Sequence, residues 1–182
     1  VLHIPDGSVV LGFMPMPIPW GDLEWPVATS WSWPEARSEL SQHKAHLIVV
    51  ASSKSLSHVQ LSLWLSRAIA SAVNCLDAAG VYFGSGSIVV APQPYAEAAA
   101  AAAEDDLPLF LWLGFHPVKE ETGLSIYTTG MPAFGLLNLE VHDSELKVDE
   151  LIEFVANVAH YELLSNVQIQ DGETVGSSEE ER

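Results

Sequence analysis

Residues 45–76 read AHLIVVASSKSLSHVQLSLWLSRAIASAVNCL, and this stretch contains both kinds of element that decide the fold class. Residues 45–51 form an apolar run bounded by polar residues, which predicts a central strand of a sheet. Ser57 and Gln60 then have the spacing of a capping box, and apolar residues recur at helical spacing from Leu61 to Leu76. The stretch therefore predicts a buried strand followed by a core-facing helix.

Segments on both sides extend this pattern into a complete fold. Hydrophobic periodicity predicts strands at residues 9–13, 81–83, 87–90, 109–115, 124–129 and 136–141, and helices at residues 95–104 and 148–164. Gly84-Ser85-Gly86 predicts a hairpin turn whose glycines supply positive φ. The order of elements predicts an α+β fold, in which a mixed or mainly antiparallel sheet is covered by two to three helices. We expect a single α+β domain over residues 1–168 and an acidic mobile tail over residues 169–182.

A segment rich in proline and tryptophan lies near the start of the chain. Proline occupies every second position from Pro15 to Pro19, so residues 14–20 are predicted to be an extended connector or an edge strand, which residues 21–34 continue. The segment contains four tryptophans: Trp20, Trp25, Trp31 and Trp33. Because each indole buries a large apolar area, we interpret them as a plug of the core; the alternative is the wall of a ligand-binding site.

Acidic residues are concentrated in the second part of the chain. Residues 1–100 contain seven carboxylates and four basic residues, whereas residues 101–182 contain seventeen carboxylates and three basic residues. Asp149, Glu150, Glu153 and Glu162 are expected on the outer face of the last helix. Such a field repels nucleic acid and anionic membranes and attracts cationic protein surfaces. We therefore expect a protein partner, and neither direct nucleic-acid binding nor membrane binding.

The cysteine content and the hydropathy indicate a compartment. Cys75 is the single cysteine, which excludes an intramolecular disulfide, and its place in an apolar helix predicts a buried thiol. No apolar run approaches the roughly 20 residues that a membrane span needs, and no secretion signal is recognisable at the start. We expect a cytoplasmic protein, and whether residues precede Val1 in the native chain stays open.

The possible chemical motifs are short and incomplete. His43 and His46 have an H-x-x-H spacing, but next to a strand this spacing points the two side chains to opposite faces, which disfavours a metal site. Glu140 and His142 share a strand face and form a candidate acid/base or metal pair, although we favour an ordinary polar strand face. Residues 128–135 predict a turn held by glycine and proline, with hydroxyls that an anion would also suit. We predict no catalytic residues, no cofactor and no metal.

Several separated motifs resemble one bacterial family. They are residues 14–24 (MPMPIPWGDLE), 28–34 (ATSWSWP), 43–50 (HKAHLIVV), 80–84 (GVYFG) and 127–135 (YTTGMPAFG), followed by Leu139-Glu-Val. Their order is similar to that of the bacterial domain-of-unknown-function 4261 family, over about Met14 to Val141. The resemblance implies an accessory of interbacterial competition, in which a cytoplasmic immunity protein neutralises a toxin delivered by type VI secretion.

The acidic surface and this resemblance lead to one expected function. We expect a non-enzymatic protein that occludes the active site of a cognate toxin, with a nuclease expected because a cationic nucleic-acid groove would attract carboxylates. The expected contact residues are the exposed carboxylates of the second half: Glu104, Asp105, Asp106, Glu120, Glu121, Asp143, Glu145, Asp149, Glu150 and Glu153. A merely solvating acidic face explains the same composition equally well.

Two other classes of function stay open from the sequence. The first is an enzyme or small-molecule binder, in which the Trp-rich segment forms a wall above His46, Glu140 and His142. The second is a structural module of an oligomer, which requires a large self-complementary apolar interface. A pocket lined by these residues would favour the first class, whereas carboxylates around an exposed apolar patch would favour protein binding.

Overall fold

The computed structural model describes residues 1–170 and 173 and divides into two compact units, Val1–Gly114 and Phe115–Arg182. The described residues form three small antiparallel sheets and five α-helices, which confirms the α+β prediction but distributes the strands over three sheets instead of one. The predicted tail, residues 169–182, lies outside the described residues except for Ile169, Gln170 and Glu173.

The first unit contains two sheets and four helices. In chain order its elements are β1 (Leu2–Ile4), β2 (Gly7–Met14), α1 (Trp20–Ala28), α2 (Ala36–Leu40), β3 (His46–Ser53), α3 (His58–Cys75), β4 (Val81–Phe83), β5 (Ile88–Val90), α4 (Pro92–Ala101) and a 3-10 helix (Leu109–Leu111). The strands β1, β2 and β3 form one antiparallel sheet in that order, and β4 and β5 form a hairpin. The helix α3 packs against α4 and β3.

The apolar run at residues 45–51 forms β3, but its predicted position in the sheet is wrong. Among the described residues, the strand lies at the edge of its sheet, where it pairs with β2 alone. Ile48 and Val50 are 45% and 53% exposed, whereas Val9 on the other face of β2 is 1% exposed. The continuous apolar run of β3 is therefore only partly buried, and on one face only.

The Trp-rich segment is helical where an extended connector was predicted. The helix α1 begins at Trp20, directly after Pro19, and contains Pro26. A proline inside a helix removes one backbone hydrogen bond and needs room for its ring, and α1 accommodates both at Pro26. One face of α1 packs into a core cluster with α2 and β5: Leu23, Val27, Trp33, Ala36, Leu40 and Val89.

The helix predicted after Ser57 is confirmed. Ser57 is the N-cap of α3, its hydroxyl accepts a hydrogen bond from Gln60 N at 3.2 Å, and Gln60 Oε1 accepts one from Ser57 N at 3.2 Å. The prediction for Cys75 is wrong, because the thiol is exposed at the last residue of the helix. Helical periodicity thus predicted the element but not the exposure of its final turn.

The hairpin at residues 81–90 is confirmed, but its glycines have another purpose than the one predicted. The positive φ in this turn belongs to Ser87, at 51°, and not to Gly84 or Gly86. Gly86 is buried, and a Cβ at this position would overlap the carbonyl oxygen of Trp112. Close packing therefore requires glycine at position 86, whereas nothing lies within 4 Å of a Cβ at Gly84.

Two further predictions in the first unit are corrected. The alanine-rich helix α4 ends at Ala101, where the Arg67 side chain donates a hydrogen bond to Ala102 O at 3.2 Å. Of the apolar residues 109–115, Leu109–Leu111 form a 3-10 helix and Trp112 and Leu113 are buried. Only Gly114 and Phe115 belong to a strand, at the start of Gly114–Lys119. The indole N–H of Trp112, a fully buried side chain, donates to Ser66 Oγ at 2.8 Å.

The second unit consists of one sheet and one long helix. Its elements are β6 (Gly114–Lys119), β7 (Leu124–Thr129), a 3-10 helix (Met131–Phe134), β8 (Glu140–Ser144) and α5 (Val148–Ser165), with β7 between the other two strands. The predicted bounds of β7 are confirmed, and α5 agrees within a residue with its prediction. The third strand begins at Glu140 instead of Leu136, because residues 131–139 make the turn. The core includes Ile126, Leu151, Val155 and Ala159.

Candidate protein-binding surface

Seven of the ten predicted contact residues lie at one end of the second unit. Glu120 and Glu121 are in the turn between β6 and β7, Asp143 and Glu145 are at the end of β8, and Asp149, Glu150 and Glu153 are in the first two turns of α5. The end of β8 adjoins the β6–β7 turn, because the Thr122 hydroxyl donates a hydrogen bond to Asp143 Oδ1. Only residues 145–147 separate β8 from α5. All seven side chains are exposed.

A bulge in β8 shapes this end of the sheet. Leu124 pairs with Ser144 and Ile126 with Val141, so β8 has one residue more than β7 in this interval. Asp143 has a positive φ of 53°, and its N–H donates to Ser125 Oγ at 3.4 Å. Bulges re-aim side chains at sheet edges, and a positive φ is tolerated better by aspartate than by most residues. The Asp143 carboxylate is therefore fixed in place by its backbone and by Thr122.

The outer face of α5 combines carboxylates with large apolar side chains. Glu150, Glu153, Phe154, Tyr161 and Leu164 lie on this face. Glu150 is one turn from Phe154 and Tyr161 is one turn from Leu164, whereas Phe154 and Tyr161 are two turns apart. Phe154, Tyr161 and Leu164 are 41%, 47% and 46% exposed. The opposite face of α5 is buried. We call these five residues the α5 outer face.

Few basic residues compensate the charge of this end. Lys147 Nζ lies 3.6 Å from Glu150 Oε1, and Lys119 precedes Glu120 in the chain. Both partners of the Lys147–Glu150 pair are more than half exposed, so the pair contributes at most about 1 kcal/mol. Glu150 Oε2 also accepts a hydrogen bond from Lys147 N at 3.1 Å, which makes Glu150 part of the helix start. The surface can attract a cation or a cationic protein, and Glu150 has a structural role besides.

Glu162 is the one acidic residue of α5 whose predicted position is wrong. It is 1% exposed and lies on the buried face between Val158 and Leu163. Its Oε1 accepts a hydrogen bond from Ile169 N at 2.9 Å, and the backbone carbonyl of Glu162 accepts one from Val167 N at 3.3 Å. Glu162 therefore fixes the chain that follows α5. Glu162 follows Val155 by seven residues, about two helical turns, and this spacing indicated that both residues lie on the buried face.

The remaining three predicted contact residues belong to the first unit. Glu104, Asp105 and Asp106 follow α4 in a turn closed by hydrogen bonds between Ala103 and Asp106. They lie beyond the helix end, so they do not extend α4 as predicted. Glu104 Oε1 accepts a hydrogen bond from Gln60 Nε2 at 3.3 Å, and all three side chains are exposed.

The tryptophans of the alternative site have mixed surroundings. Trp33 is buried in the core cluster and Trp20 packs partly against it, as a plug of the core requires. The Arg37 guanidinium carbon lies 5.4 Å from the centre of the Trp20 ring, which is a cation–π distance. Trp25 and Trp31 are 41% and 55% exposed. The segment thus packs mainly through Trp20 and Trp33.

The H-x-x-H pair holds the proline-rich connector in place. His43 Nε2 accepts a hydrogen bond from Ile18 N at 2.7 Å, and its Nδ1 lies 2.6 Å from Leu40 O. The geometry assigns the proton to Nδ1, since a carbonyl only accepts. His46 Nδ1 likewise lies 2.8 Å from Met16 O. Both histidines are therefore structural groups that fasten residues 16–18.

The second half of the alternative site is an exposed pair. His142 Nε2 lies 3.4 Å from Glu140 Oε2, and both side chains are more than 60% exposed. The pair is on the second unit, whereas His46 is on the first. Among the described residues, no group of three or more histidine, cysteine, aspartate or glutamate side chains could hold a metal ion. The described helices also include none with the length and apolar character of a membrane span.

A buried polar cluster at the centre of the second unit was not predicted. His116 Nε2 lies 3.0 Å from Thr129 Oγ1, and the His116 and Tyr127 rings are 4.9 Å apart. Burial lowers the pKa of His116, so the imidazole is neutral near pH 7. Thr128 Oγ1 accepts a hydrogen bond from Leu139 N at 2.8 Å. The hydroxyls of Thr128 and Thr129 thus make hydrogen bonds within the second unit. In the sequence, only their position before Gly130 indicated a turn.

The turn at residues 130–135 follows the prediction. Gly130 and Gly135 have φ values of 104° and 81°, and both flank the 3-10 helix that contains Pro132. Asn138 Oδ1 accepts a hydrogen bond from Met131 N at 3.3 Å and closes the turn. Glycine is needed at both ends because other residues are strained at these φ values.

The comparison with known proteins identifies one family over part of the chain. A family model described as "Domain of unknown function (DUF4261)" matches residues 127–182. The match includes the glycine turn, β8, α5 and thus the α5 outer face, whereas the similar motifs between Met14 and Ile126 lie outside it. No curated protein and no solved structure matches the chain. Over residues 127–182 the chain is therefore similar to this family of unknown function.

Proposed function

We propose that the chain is a non-enzymatic immunity protein, which binds a bacterial toxin through the α5 outer face and the carboxylates beside it. The observation that carries this proposal is the exposure of Phe154, Tyr161 and Leu164 on the same helix face as Glu150 and Glu153. Aromatic side chains supply much of the affinity of protein interfaces, and charges around them raise the rate of association.

Solubility alone does not explain this surface. Carboxylates keep a protein soluble, but large apolar side chains in water cost about 25 cal/mol for each Å² that they leave exposed. Three such side chains recur along one face of α5, and a patch of this kind rimmed by charge is typical of an interaction site. A protein partner would cover the patch.

The charge of the second unit favours a cationic partner. Its candidate surface has seven exposed carboxylates, against Lys119 and Lys147 nearby. A nuclease has a cationic groove for its substrate, and carboxylates placed like phosphates would compete for it. The resemblance of the motifs between Met14 and Val141 implies an accessory of type VI secretion, and we therefore propose a secreted nuclease toxin as the partner.

Cell survival tests the immunity role directly. The gene is deleted in the bacterium that encodes it, and the deletion strain is grown against sister cells whose toxin systems are active. We expect the deletion strain to be killed and to survive when the wild-type chain is supplied. A chain with Glu153→Lys and Tyr161→Ala should not protect, because both changes remove contacts of the α5 outer face while avoiding Glu150, which caps α5.

The control carries the same types of substitution in the first unit. Glu39→Lys and Trp64→Ala also reverse an exposed charge and remove a partly exposed aromatic side chain, and this chain should protect fully. Survival of the deletion strain without any chain would contradict the immunity role. Equal protection by both variants would contradict the assignment of the binding surface.

A further inference from the structure

The edge strand β3 has a free backbone and an exposed apolar face. It pairs with β2 on one side only, and within the described part of the chain the backbone of residues 47–52 makes no hydrogen bond outside that pairing. Val10 lies opposite Val50 in the register, and Ile48 lies two residues from Val50 on the same face. Val10 is 44% exposed, Val50 is 53% exposed and Ile48 is 45% exposed.

We propose that β3 is the interface of a homodimer, in which β3 of two copies pairs antiparallel across a two-fold axis at Val49. An unprotected edge strand of eight residues is a template for adding another strand. The pairing would join the two three-stranded sheets into one sheet of six strands and provide partners for the outward N–H and C=O groups.

The sequence of β3 suits pairing with itself. In an antiparallel register centred on Val49, Ile48 lies opposite Val50 of the second copy, and Leu47 lies opposite Ala51. Residues opposite each other share a face, so the exposed faces of both sheets lie on the same side. Val10, Ile48 and Val50 of both copies then form one continuous apolar band.

The charge distribution favours a second copy over a cationic partner at this strand. The eight residues of β3 contain no aspartate, glutamate, lysine or arginine. Each copy has a formal net charge of −17, so two copies approach most easily where carboxylates are absent. A cationic protein gains nothing electrostatically at this strand, unlike at the α5 outer face.

The salt dependence separates this interface from the proposed toxin contact. Salt screens the repulsion between two acidic copies, so the dimer should become stronger as salt increases. Attraction between carboxylates and a cationic partner should become weaker under the same change. Failure of one proposal therefore leaves the other standing.

Sedimentation equilibrium of the full chain tests the dimer. We expect a monomer–dimer equilibrium whose dimer fraction rises between about 0.05 M and about 1 M sodium chloride. Ile48→Lys or Val50→Lys should each raise the dimer dissociation constant by about tenfold or more, since each replaces an apolar cross-strand pair and brings like charges of the two copies close together. Leu76→Lys, at a 56% exposed position outside the sheet, should leave it unchanged.

A cysteine at the axis tests the register even if the lysine variants fold poorly. In the Cys75→Ser background, Val49→Cys places two thiols opposite each other at a Cα separation of about 4.5–5.5 Å, which a disulfide spans. We expect a covalent dimer under mild oxidation. A monomeric wild-type chain at all salt concentrations, a dimer that the lysine variants leave intact, or a dimer that does not cross-link would each overturn the proposal.

Discussion

Tyr95 shows how a single buried side chain makes the stability of the first unit depend on pH. Its side chain is 0% exposed, and burial raises the pKa of its phenol from 10.0 to about 12, while the nearby Ser66 hydroxyl opposes this shift. In the unfolded chain the phenol loses its proton near pH 10. The folded state therefore retains a proton that the unfolded state has lost between about pH 10 and about pH 12.

The stability of the wild-type chain should accordingly fall above pH 10. Because the unfolded state binds fewer protons there, the free energy of unfolding decreases as pH rises, by up to about 1.4 kcal/mol for each pH unit. Urea unfolding at about pH 9 and about pH 11 should show a loss that is about 1 kcal/mol larger for the wild type than for Tyr95→Phe. Equal losses in the two proteins would show that Tyr95 does not cause the alkaline instability.

At the scale of single residues, the sequence predicted several roles and missed others. The capping box of Ser57 and Gln60 was predictable because both side chains act on backbone within three residues. The contact of Gly86 with Trp112 was not, because it joins residues far apart in the chain. His43 is a similar case, since its partner Ile18 is 25 residues away.

At the scale of elements, the hairpin of β4 and β5 allows a direct test of close packing. Gly86→Ala places a methyl group against the Trp112 carbonyl and should lower the free energy of unfolding by about 1–3 kcal/mol. Gly84→Ala is the matched control, since its methyl group meets no atom within 4 Å, and its effect should stay within about 0.5 kcal/mol. Urea unfolding of both variants measures the difference. Similar values for the two would refute the role of Gly86.

Periodicity predicted the long helices α3 and α5 and failed for the short helix α1 and the 3-10 helix Leu109–Leu111. The helices α3 and α5 each have 18 residues, so the apolar stripe repeats often enough to define them. The helix α1 has nine residues and includes Pro26, and its stability depends on packing into the core cluster. All of residues 109–115 except Phe110 are buried, and burial requires apolar residues equally in a strand and in a 3-10 helix.

At the scale of the whole molecule, the composition predicted an acidic surface but not its apolar component. Charge counts alone indicated that the acidic surface belongs to the second part of the chain. Seven carboxylates of the second unit lie at one end of that unit. Phe154, Tyr161 and Leu164 were not predicted as contact residues. Their exposure depends on which face of α5 packs on β7. The sheet that contains β7 sets how wide the buried stripe of α5 is.

The central claim is that the α5 outer face binds a cationic protein. The most direct measurement is parallel affinity capture from lysate of the encoding bacterium, with quantitative mass spectrometry of what the wild-type chain, Glu153→Lys with Tyr161→Ala, and Glu39→Lys with Trp64→Ala each retain. We expect one cationic protein at near-equal molar amount with the wild type and the control, released by salt. It should be lost with the α5 variant, because removal of an aromatic anchor costs about 2 kcal/mol or more. A partner retained equally by all three chains, or none retained by the wild type, would contradict the account.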